Sequence, residues 1–358
     1  MKLLITTGIY PPEIGGPATY SKLLFDELPK KGIEVTVLSF GQVRKLSKII
    51  RHAVFFFKLF KKSLSSDIIF AQDTVSVGFP SLLVSKILGK RFFVRTPGDY
   101  AWEQSVQRYK VKESIDDFQN RKYGFRVEFL RKIQKMTVNG ADTVISPSIY
   151  FKNLVSNWVK NPKKVFCIYN GIDLSVISDK TVVFEPNTII SAGRLVSWKG
   201  FGVLIEILEF LPEWKLFIAG DGPIKKELEN IALKNNVSNR VFFLGQISRK
   251  NLIEKIQKCE IFALNTSFES FSFQVVEAMA CGTPVITTNI GNLTEIIDND
   301  REGVLVKPDD KRSIVENIKK LSSDPVFREK ITKGAKNRAK QFSIENTINS
   351  LIKYLIKA

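Results

Sequence analysis

Two glutamates near the start of a predicted helix are the residues of this chain with the clearest chemistry. Glu269 and Glu277 stand eight positions apart in the stretch SFESFSFQVVEAMACGTPVI, residues 267–286. Glu269 lies in a polar segment, and Glu277 lies in an apolar run that Gly282 and Pro284 should end. Ionised carboxylates accept hydrogen bonds from paired hydroxyls. Two carboxylates that border one crevice can therefore hold hydroxyl-bearing groups, one a sugar ring and the other a ribose some distance away.

A basic pair in the segment SAGRLVSWKG predicts a site for a diphosphate. Arg194 follows a predicted strand and Lys199 precedes the next predicted helix, with Gly193 and Gly200 beside the two charges. A guanidinium offers a planar fork to a phosphate, whereas an ammonium acts as a point charge. The alternative is a solvated pair of surface charges. The glycines favour the phosphate site, because they let the backbone approach a ligand closely.

A glycine pair opens the first predicted helix, in the stretch GIYPPEIGGPATYSKLL. Gly15 and Gly16 stand at a helix N-terminus, whose free N–H groups and dipole attract anions. The pair lacks the spacing of the GxGxxG fingerprint, so a tight turn without a ligand is the alternative.

The elements that position these residues follow from periodicity. Short apolar segments alternate with amphipathic ones in both halves of the chain, which predicts two doubly wound α/β domains with parallel sheets. The alternation is interrupted near residues 173–186. The predicted strands are KLLITTG, EVTVLSF, DIIFAQD, RFFVRTP, ADTVISP and KVFCIYN before the interruption, and TIISAGR, KLFIAGDG, RVFFLG, EIFALNTS, TPVITTN and GVLVKP after it. Ligands bind such sheets at the carboxyl ends of the strands, where the segments above lie.

Composition limits the class of protein. The 358 residues, of which 44% are hydrophobic, suit a globular protein of two domains. A formal charge of +18 favours polyanionic partners, but no nucleic-acid-binding motif accompanies it, so nucleic acid is not expected. The three scattered cysteines favour a reducing, cytoplasmic location over a disulfide or zinc site. The opening MKLLITTG resembles a strand more than a signal peptide, and no segment reaches the roughly 18 to 20 apolar residues of a membrane span.

The segment Arg44–Lys62 contains seven Lys or Arg residues and no acid. Its helical period places Ala53 and Phe57 on one apolar stripe, opposite Lys58, and leaves Phe55 outside that stripe. One interpretation is a helix that docks the stripe on the sheet. The other is an interfacial helix drawn to anionic lipid, by about 1 kcal/mol per basic residue. A lipid-linked substrate would explain the second.

Taken together, these stretches resemble the retaining nucleotide-sugar glycosyltransferases of family 4. Glu269 and Glu277 match the family's E-x7-E signature, and PPEIGGPATY, YNGID, SAGRLVSWKG, IAGDGP and RVFFLG look like its other landmarks in the same order. The resemblance covers nearly the whole chain and implies the GT-B fold, two Rossmann-like doubly wound domains facing a central cleft. The implied domains are an acceptor domain over residues 1–175, a nucleotide-sugar donor domain over residues 176–342, and a final helix over residues 343–358 that packs back on the first domain.

The resemblance also implies roles for the matching residues. Arg194 and Lys199 would neutralise the leaving diphosphate, with help from the N–H of Gly16. Glu277 would hold the ribose and Glu269 the donor sugar, not as a covalent nucleophile. Further implied donor-binding residues are Gly15, Gly193, Gly222, Leu244, Gly245, Ser270, Phe271 and Ser272. The sugar would pass, with retention and without a metal or other cofactor, to a glycan or lipid-linked acceptor in cell-surface polysaccharide or glycolipid synthesis.

Two departures from the family pattern leave the donor and the activity open. Ser270 and Ser272 stand where the family usually has glycine. The family histidine after the fourth strand is missing; the loop RTPGDYAWEQ offers Asp99, either as its catalytic substitute or as a turn residue. The alternative function is therefore a catalytically weak GT-B protein that binds membrane and nucleotide or glycan. The stretch DND at residues 298–300 is predicted to be a loop and not a metal site.

Overall fold

The computed structural model describes residues 1–177 and 183–357. The chain divides into two compact units, Met1–Asn170 with Thr347–Ala358, and Gly171–Asn346. Each unit is an α/β structure around one six-stranded sheet, and every strand pair is parallel. The predicted fold class, two doubly wound parallel sheets, is confirmed. Residues 178–182, inside the interruption near residues 173–186, lie outside the described residues.

The first unit contains a sheet with the strand order β2-β1-β3-β4-β5-β6. Its strands are β1 (Lys2–Thr7), β2 (Glu34–Ser39), β3 (Ile68–Ala71), β4 (Arg91–Arg95), β5 (Thr143–Ser146) and β6 (Val165–Cys167). Its helices are α1 (Gly16–Glu27), α2 (Lys48–Ser63), α3 (Gly78–Leu88), α4 (Tyr100–Tyr109), α5 (Ile115–Asn120), α6 (Phe125–Gly140) and α7 (Ile149–Ser156). These strands form because their apolar and β-branched residues can be buried on both faces of the sheet, as Ile5, Phe70 and Phe93 are.

The second unit contains a sheet with the strand order β12-β11-β10-β7-β8-β9. Its strands are β7 (Glu185–Ala192), β8 (Lys215–Ala219), β9 (Val241–Gly245), β10 (Cys259–Leu264), β11 (Val285–Thr288) and β12 (Val304–Val306). Its helices are α8 (Phe201–Glu206), α9 (Lys225–Lys234), α10 (Arg249–Lys258), α11 (Phe273–Cys281), α12 (Leu293–Ile296), α13 (Lys311–Ser323) and α14 (Pro325–Ala339).

The strand order of the second unit determines where its ligand loops meet. The chain proceeds from β7 to β8 and β9 on one side, and then returns to place β10 on the other side of β7. The order therefore reverses between β7 and β10, and a ligand is expected at that switch point. Ile189 of β7 and Ile261 of β10 are paired and fully buried at this point of the sheet.

The last helix, α15 (Ile344–Lys357), belongs to the first unit from Thr347 onward. Thr347 Oγ1 donates a hydrogen bond to the backbone oxygen of Tyr169 at 2.8 Å. The ring centres of Phe166 and Tyr354 lie 4.2 Å apart. These contacts attach the end of the chain to the segment around β6.

Helix α2 occupies most of the basic segment, but it docks through a side that the predicted stripe does not include. Phe55 and Leu59, one turn apart, are fully buried, and Phe55 packs edge to face on Phe40 at 5.2 Å. Phe57, by contrast, is 71% exposed. Ala53 and Phe57 of the predicted stripe therefore do not dock, because two large residues outside the stripe, Phe55 and Leu59, fill the contact with the unit.

Within the described ranges, no helix has both the length and the apolar content that crossing a bilayer requires.

Candidate active site

Lys199 and Glu269 meet at the switch point of the second unit. Lys199 lies on the loop after β7, Glu269 lies on the loop after β10, and the Nζ and Oε1 atoms of their side chains form an ion pair. The two side chains are only 12% and 8% exposed. The topology thus joins two residues that the sequence singles out separately.

Gly200 allows the loop that carries Lys199 to lie against the end of β10. It adopts a left-handed conformation with φ of 59°, and an added Cβ would lie 1.7 Å from the backbone oxygen of Asn265. The backbone oxygen of Trp198 accepts a hydrogen bond from the Ser267 N–H at 2.8 Å. The loop after β10 is therefore bonded to the loop after β7, which explains why β10 ends at Leu264, earlier than the predicted strand EIFALNTS.

Burial governs the electrostatics of this pair. Desolvation raises the pKa of the Glu269 carboxyl, and the ammonium of Lys199 opposes that rise. When one partner of a buried ion pair is removed, the other charge is left without compensation. Lys199 therefore keeps a carboxylate available in a place where burial alone would favour the neutral acid.

Helix α11, which contains Glu277, ends at Gly282 as the sequence predicts. The Ser272 side chain accepts a hydrogen bond from the Val275 N–H at 3.5 Å and caps the helix. Gly282 ends it in a left-handed conformation with φ of 74°. Glu277 lies within the helix and is 4% exposed.

Arg249 is a site residue that the sequence interpretation missed. Its Nε lies 2.8 Å from Oε1 of Glu277, and the Glu277 side chain is 5% exposed. Burial raises the pKa of Glu277, and Arg249 opposes this effect. Arg249 is the first residue of α10, where a cation opposes the helix dipole. A cation at the start of a helix is unfavourable unless a carboxylate compensates it. The position of Arg249 is therefore the sequence signal from which a carboxylate partner could have been inferred.

Arg194 and two predicted donor-binding glycines lie where the loops after β7 and β8 meet. Arg194 is exposed on the loop after β7. The Gly193 N–H donates to the Ala219 oxygen at 2.9 Å, and an added Cβ at Gly222 would lie 2.3 Å from the Leu195 oxygen. Glycine is therefore needed at position 222 to let the two loops pack together.

The end of β9 joins the same group of loops. Gly245 has φ of 64°, and its oxygen accepts a hydrogen bond from the Gly220 N–H at 2.8 Å. Leu244 is partly exposed beside it. The backbone at this strand end is thus held next to the loop after β8.

Two predicted donor-binding residues after Glu269 differ in exposure. Ser270 is partly exposed. Phe271 is 6% exposed, and its ring packs 5.7 Å from each of the rings of Phe273 and Phe342. The Phe271 ring therefore stabilises the packing of the second unit.

Gly15 and Gly16 begin α1 in the first unit. Gly15 has φ of 155°, and an added Cβ there would lie 2.7 Å from Cδ1 of Ile9. Gly16 is the first helical residue, followed by Pro17, so the chain enters the helix with a backbone that only glycine at position 15 fits.

Asp99 precedes α4 and is 1% exposed. Its Oδ1 accepts hydrogen bonds from the Trp102 N–H and the Gln134 Nε2, both at 3.1 Å. Its Oδ2 accepts a third from Gln119 Nε2 at 2.9 Å. A buried carboxylate with three donors is a helix cap and a structural anchor, so the geometry favours a turn residue over a catalytic substitute for the missing histidine.

In the part of the chain that the structure describes, no group of three His, Cys, Asp or Glu side chains could hold a metal ion. Independence from metals remains a prediction from the resemblance.

Family models match both halves of the chain. Residues 14–176 match the model described as Glycosyltransferase Family 4, and residues 177–338 match the model described as Glycosyl transferases group 1. The two matched ranges follow one another directly along the chain.

Curated relatives cover the chain to different extents. One from Campylobacter jejuni, the N-acetylgalactosamine-N,N'-diacetylbacillosaminyl-diphospho-undecaprenol 4-alpha-N-acetylgalactosaminyltransferase, is 32% identical over 210 residues, which is 57% of this chain and 57% of that protein. An uncharacterized glycosyltransferase from Methanocaldococcus jannaschii is 27% identical over 94% of this chain and 93% of its own length.

Solved structures share the GT-B fold. HepE of Anabaena, in complex with UDP and glucose, has a TM-score of 0.80 at 18% identity, with 100% of each chain covered. The sucrose-phosphate synthase of Thermosynechococcus elongatus has a TM-score of 0.79 at 19% identity, with 99% of each chain covered.

Proposed function

We propose that this chain, which has the two domains of a family 4 type glycosyltransferase, transfers a sugar from a nucleoside diphosphate sugar to a hydroxyl of a glycan or lipid-linked acceptor. The observation that carries the proposal is the pair of buried glutamates, each paired with a cation of the second unit: Glu269 with Lys199 on the loop after β7, and Glu277 with Arg249 at the start of α10. HepE, which shares the fold, binds UDP and glucose. The Campylobacter relative is named for a diphospho-undecaprenol acceptor.

The basic residues of the loop after β7 would bind the diphosphate. Lys199 is held in place by Glu269, and Arg194 is exposed on the same loop. Negative charge grows on the diphosphate as the bond to the sugar breaks, and cations fixed in advance stabilise it without reorganisation. Most of the rate enhancement would come from this stabilisation and from positioning of the two substrates.

The two glutamates would hold the donor by its hydroxyls, Glu277 at the ribose and Glu269 at the sugar. Both have pKa values raised by burial, and both have a cation beside them that favours the ionised form. An ionised carboxylate accepts the hydrogen bonds that hydroxyls donate. Because Oε1 of Glu269 is engaged by Lys199, we propose retention without a covalent glutamate: the departing phosphate takes the proton of the incoming hydroxyl on the same face of the sugar.

We further propose that the reaction needs no metal and serves cell-surface polysaccharide or glycolipid synthesis, at the cytoplasmic face of a membrane. A lipid-linked acceptor would account for the basic helix α2, which has no acidic residue in its sequence.

A catalytically weak protein that binds membrane and nucleotide or glycan is the second candidate. The observation in its favour is that the family histidine is absent, while the carboxylate of Asp99, its nearest polar replacement, already accepts three hydrogen bonds, one that caps α4 and two from glutamines of other helices.

Thermal unfolding with UDP, GDP, ADP and their common sugars tests the proposal. A ligand that binds only the folded state raises stability by RT ln(1 + [L]/Kd), or about 2.7 kcal/mol at a hundredfold excess over Kd. We expect the nucleotides of one base to raise the melting temperature of the protein. Glu277→Gln should reduce that rise. A rise in melting temperature without any release of nucleotide from the sugar donor would favour the second candidate. No rise in melting temperature with any nucleotide would contradict the proposal.

A further inference from the structure

The outward sides of three neighbouring helices form one face of the first unit. Helix α2 packs against α3, and α3 packs against α6. We call the outer surface of these helices the three-helix face. Its large exposed apolar residues include Phe57, Leu64, Leu83, Ile87, Phe125 and Phe129.

The exposure of these side chains is unusually high. Phe125 is 84% exposed, Phe57 71% and Ile87 63%. The rings of Phe125 and Phe129 stack on one another with centres 6.0 Å apart, so they form a small apolar cluster on the outside of α6. Large exposed apolar groups gathered on one face indicate an interaction site.

The helices that carry these apolar groups are rich in basic residues and poor in acids. In sequence, α2, α3 and α6 contain ten Lys or Arg residues and one acid, Glu128. That acid is already paired with Arg131 at 3.0 Å on the same helix. A face that combines apolar side chains with an excess of cations is complementary to a bilayer that contains anionic lipid.

A groove at the C-terminal end of α6 adds a site for an anionic group. It has a volume of about 750 Å³, and Lys132, Lys135 and Lys160 line it together with Leu82 and Met136. The ion-paired Glu128 and Arg131 line it as well, so basic side chains outnumber the one acid.

A fixed lysine makes the helix end in this groove acceptable to an anion. Lys164 Nζ donates hydrogen bonds to the backbone oxygens of Asn139 and Ala141, at 2.6 and 2.7 Å. This neutralises the negative end of α6, which would otherwise repel an anion.

The groove is separate from the predicted ligand loops of this unit. The end of α6 precedes β5, and Lys160 and Lys164 precede β6. The groove therefore lies at the amino ends of the parallel strands, whereas ligands of doubly wound sheets bind at the carboxyl ends. An anion held there would not compete with a ligand at the carboxyl ends of the same sheet.

We propose that the three-helix face docks this protein on an anionic bilayer. Phe57, Ile87 and Phe125 enter the interfacial layer, and the groove at the end of α6 holds a phosphate headgroup. This inference rests on the membrane location in the proposed function, and it names the surface responsible. In this arrangement the exposed residues Ala53 and Phe57 of the predicted stripe face the lipid.

The test is cosedimentation of the full chain with sucrose-loaded vesicles, either of phosphatidylcholine alone or of equimolar phosphatidylcholine and phosphatidylglycerol. We expect binding to the anionic vesicles only, and roughly a tenfold or greater loss of affinity for Lys132→Glu with Lys135→Glu. The matched control, Lys330→Glu with Lys333→Glu, makes the same charge change at the same spacing on exposed positions of α14 and should bind as the unchanged protein does.

A second pair of variants tests the apolar part of the face. Phe57→Ser should weaken vesicle binding, whereas Leu233→Ser, at a residue 63% exposed on α9, should not. The proposal is overturned if the chain fails to bind anionic vesicles, if it binds both vesicle types equally, or if control and test variants lose binding alike. It is also overturned if Phe57 instead mediates self-association that excludes vesicles.

Donor hydrolysis measured without vesicles separates this inference from the proposed function. The variants designed to lose vesicle binding, Lys132→Glu with Lys135→Glu and Phe57→Ser, should hydrolyse the donor at the rate of the unchanged protein. Vesicle binding by a chain that hydrolyses no donor would contradict the catalytic proposal and leave the docking face supported.

Discussion

Removal of the Lys199 ammonium should destabilise the second unit in a pH-dependent way. In Lys199→Met the side chain keeps its length, but Glu269 stays in a site where its side chain is 8% exposed, without a cation. The folded protein can avoid that buried charge only by protonating Glu269. Protonating a carboxyl with an unfolded-state pKa of about 4.3 costs about 3.7 kcal/mol at pH 7 and about 1 kcal/mol at pH 5. The first figure agrees with the roughly 3–5 kcal/mol lost when a buried ion pair is broken.

The sign of the pH effect follows from the direction of the pKa shift. In the variant, burial raises the folded-state pKa of Glu269 above its unfolded value with no cation to oppose it. Such a group destabilises the folded state progressively as pH rises from the unfolded pKa towards the folded pKa. The difference in free energy of unfolding between the unchanged protein and the variant should therefore be larger at pH 7 than at pH 5.

Urea unfolding of both proteins at the two pH values measures this difference. For a unit of this size about 3.7 kcal/mol corresponds to roughly 7–15 °C in Tm. Lys199→Met combined with Glu269→Gln is the control, because it buries no charge and should recover much of the lost stability. A loss below about 1 kcal/mol at pH 7, or an equal loss at both pH values, would refute the reasoning.

Three further predictions follow from the described contacts. In urea unfolding, Gly200→Ala should lower the free energy of unfolding by several kcal/mol, because the added Cβ would overlap a backbone oxygen. Gly245→Ala, which has a similar φ but open space around the added Cβ, should lower it by only about 1–2 kcal/mol. Equal losses in the two variants would contradict the packing argument. Asp99→Asn should lower stability by about 1–3 kcal/mol but leave donor hydrolysis unchanged, and lost hydrolysis in a folded variant would restore a catalytic role. Donor affinity should fall on acidification at a pH above the usual glutamate range, because burial raises the pKa of Glu277. In Arg249→Ala that fall should occur at a still higher pH, because the cation that opposes the rise is lost. If donor affinity depends on pH in the same way in both proteins, the pairing of Arg249 with Glu277 is excluded.

Periodicity in the sequence was sufficient to predict the two sheets and α11. Buried parallel strands produce continuous apolar runs, and Ser272 and Gly282 mark the two ends of the helix by local hydrogen bonding and conformation. The meeting of Lys199 with Glu269 follows once both loops are placed at the switch point of one sheet.

The remaining features depend on tertiary contacts that no local pattern encodes. Helix α2 is apolar on more than one side, so periodicity could not rank Phe55 above Phe57 as the side that docks. The pairing of Arg249 with Glu277 depends on how α10 packs against α11. The engagement of Asp99 requires two glutamines from other helices, and neither is near it in sequence.

Proton NMR of a nucleotide sugar during incubation with the protein tests the central claim most directly. We expect release of the nucleoside diphosphate, with the freed sugar appearing first in the anomeric configuration that it had in the donor. Release should be at least tenfold slower with Glu277→Gln, because the carboxylate proposed to hold the ribose is lost. Release of the opposite anomer would contradict retention, and no release from any UDP, GDP or ADP sugar would contradict catalysis itself.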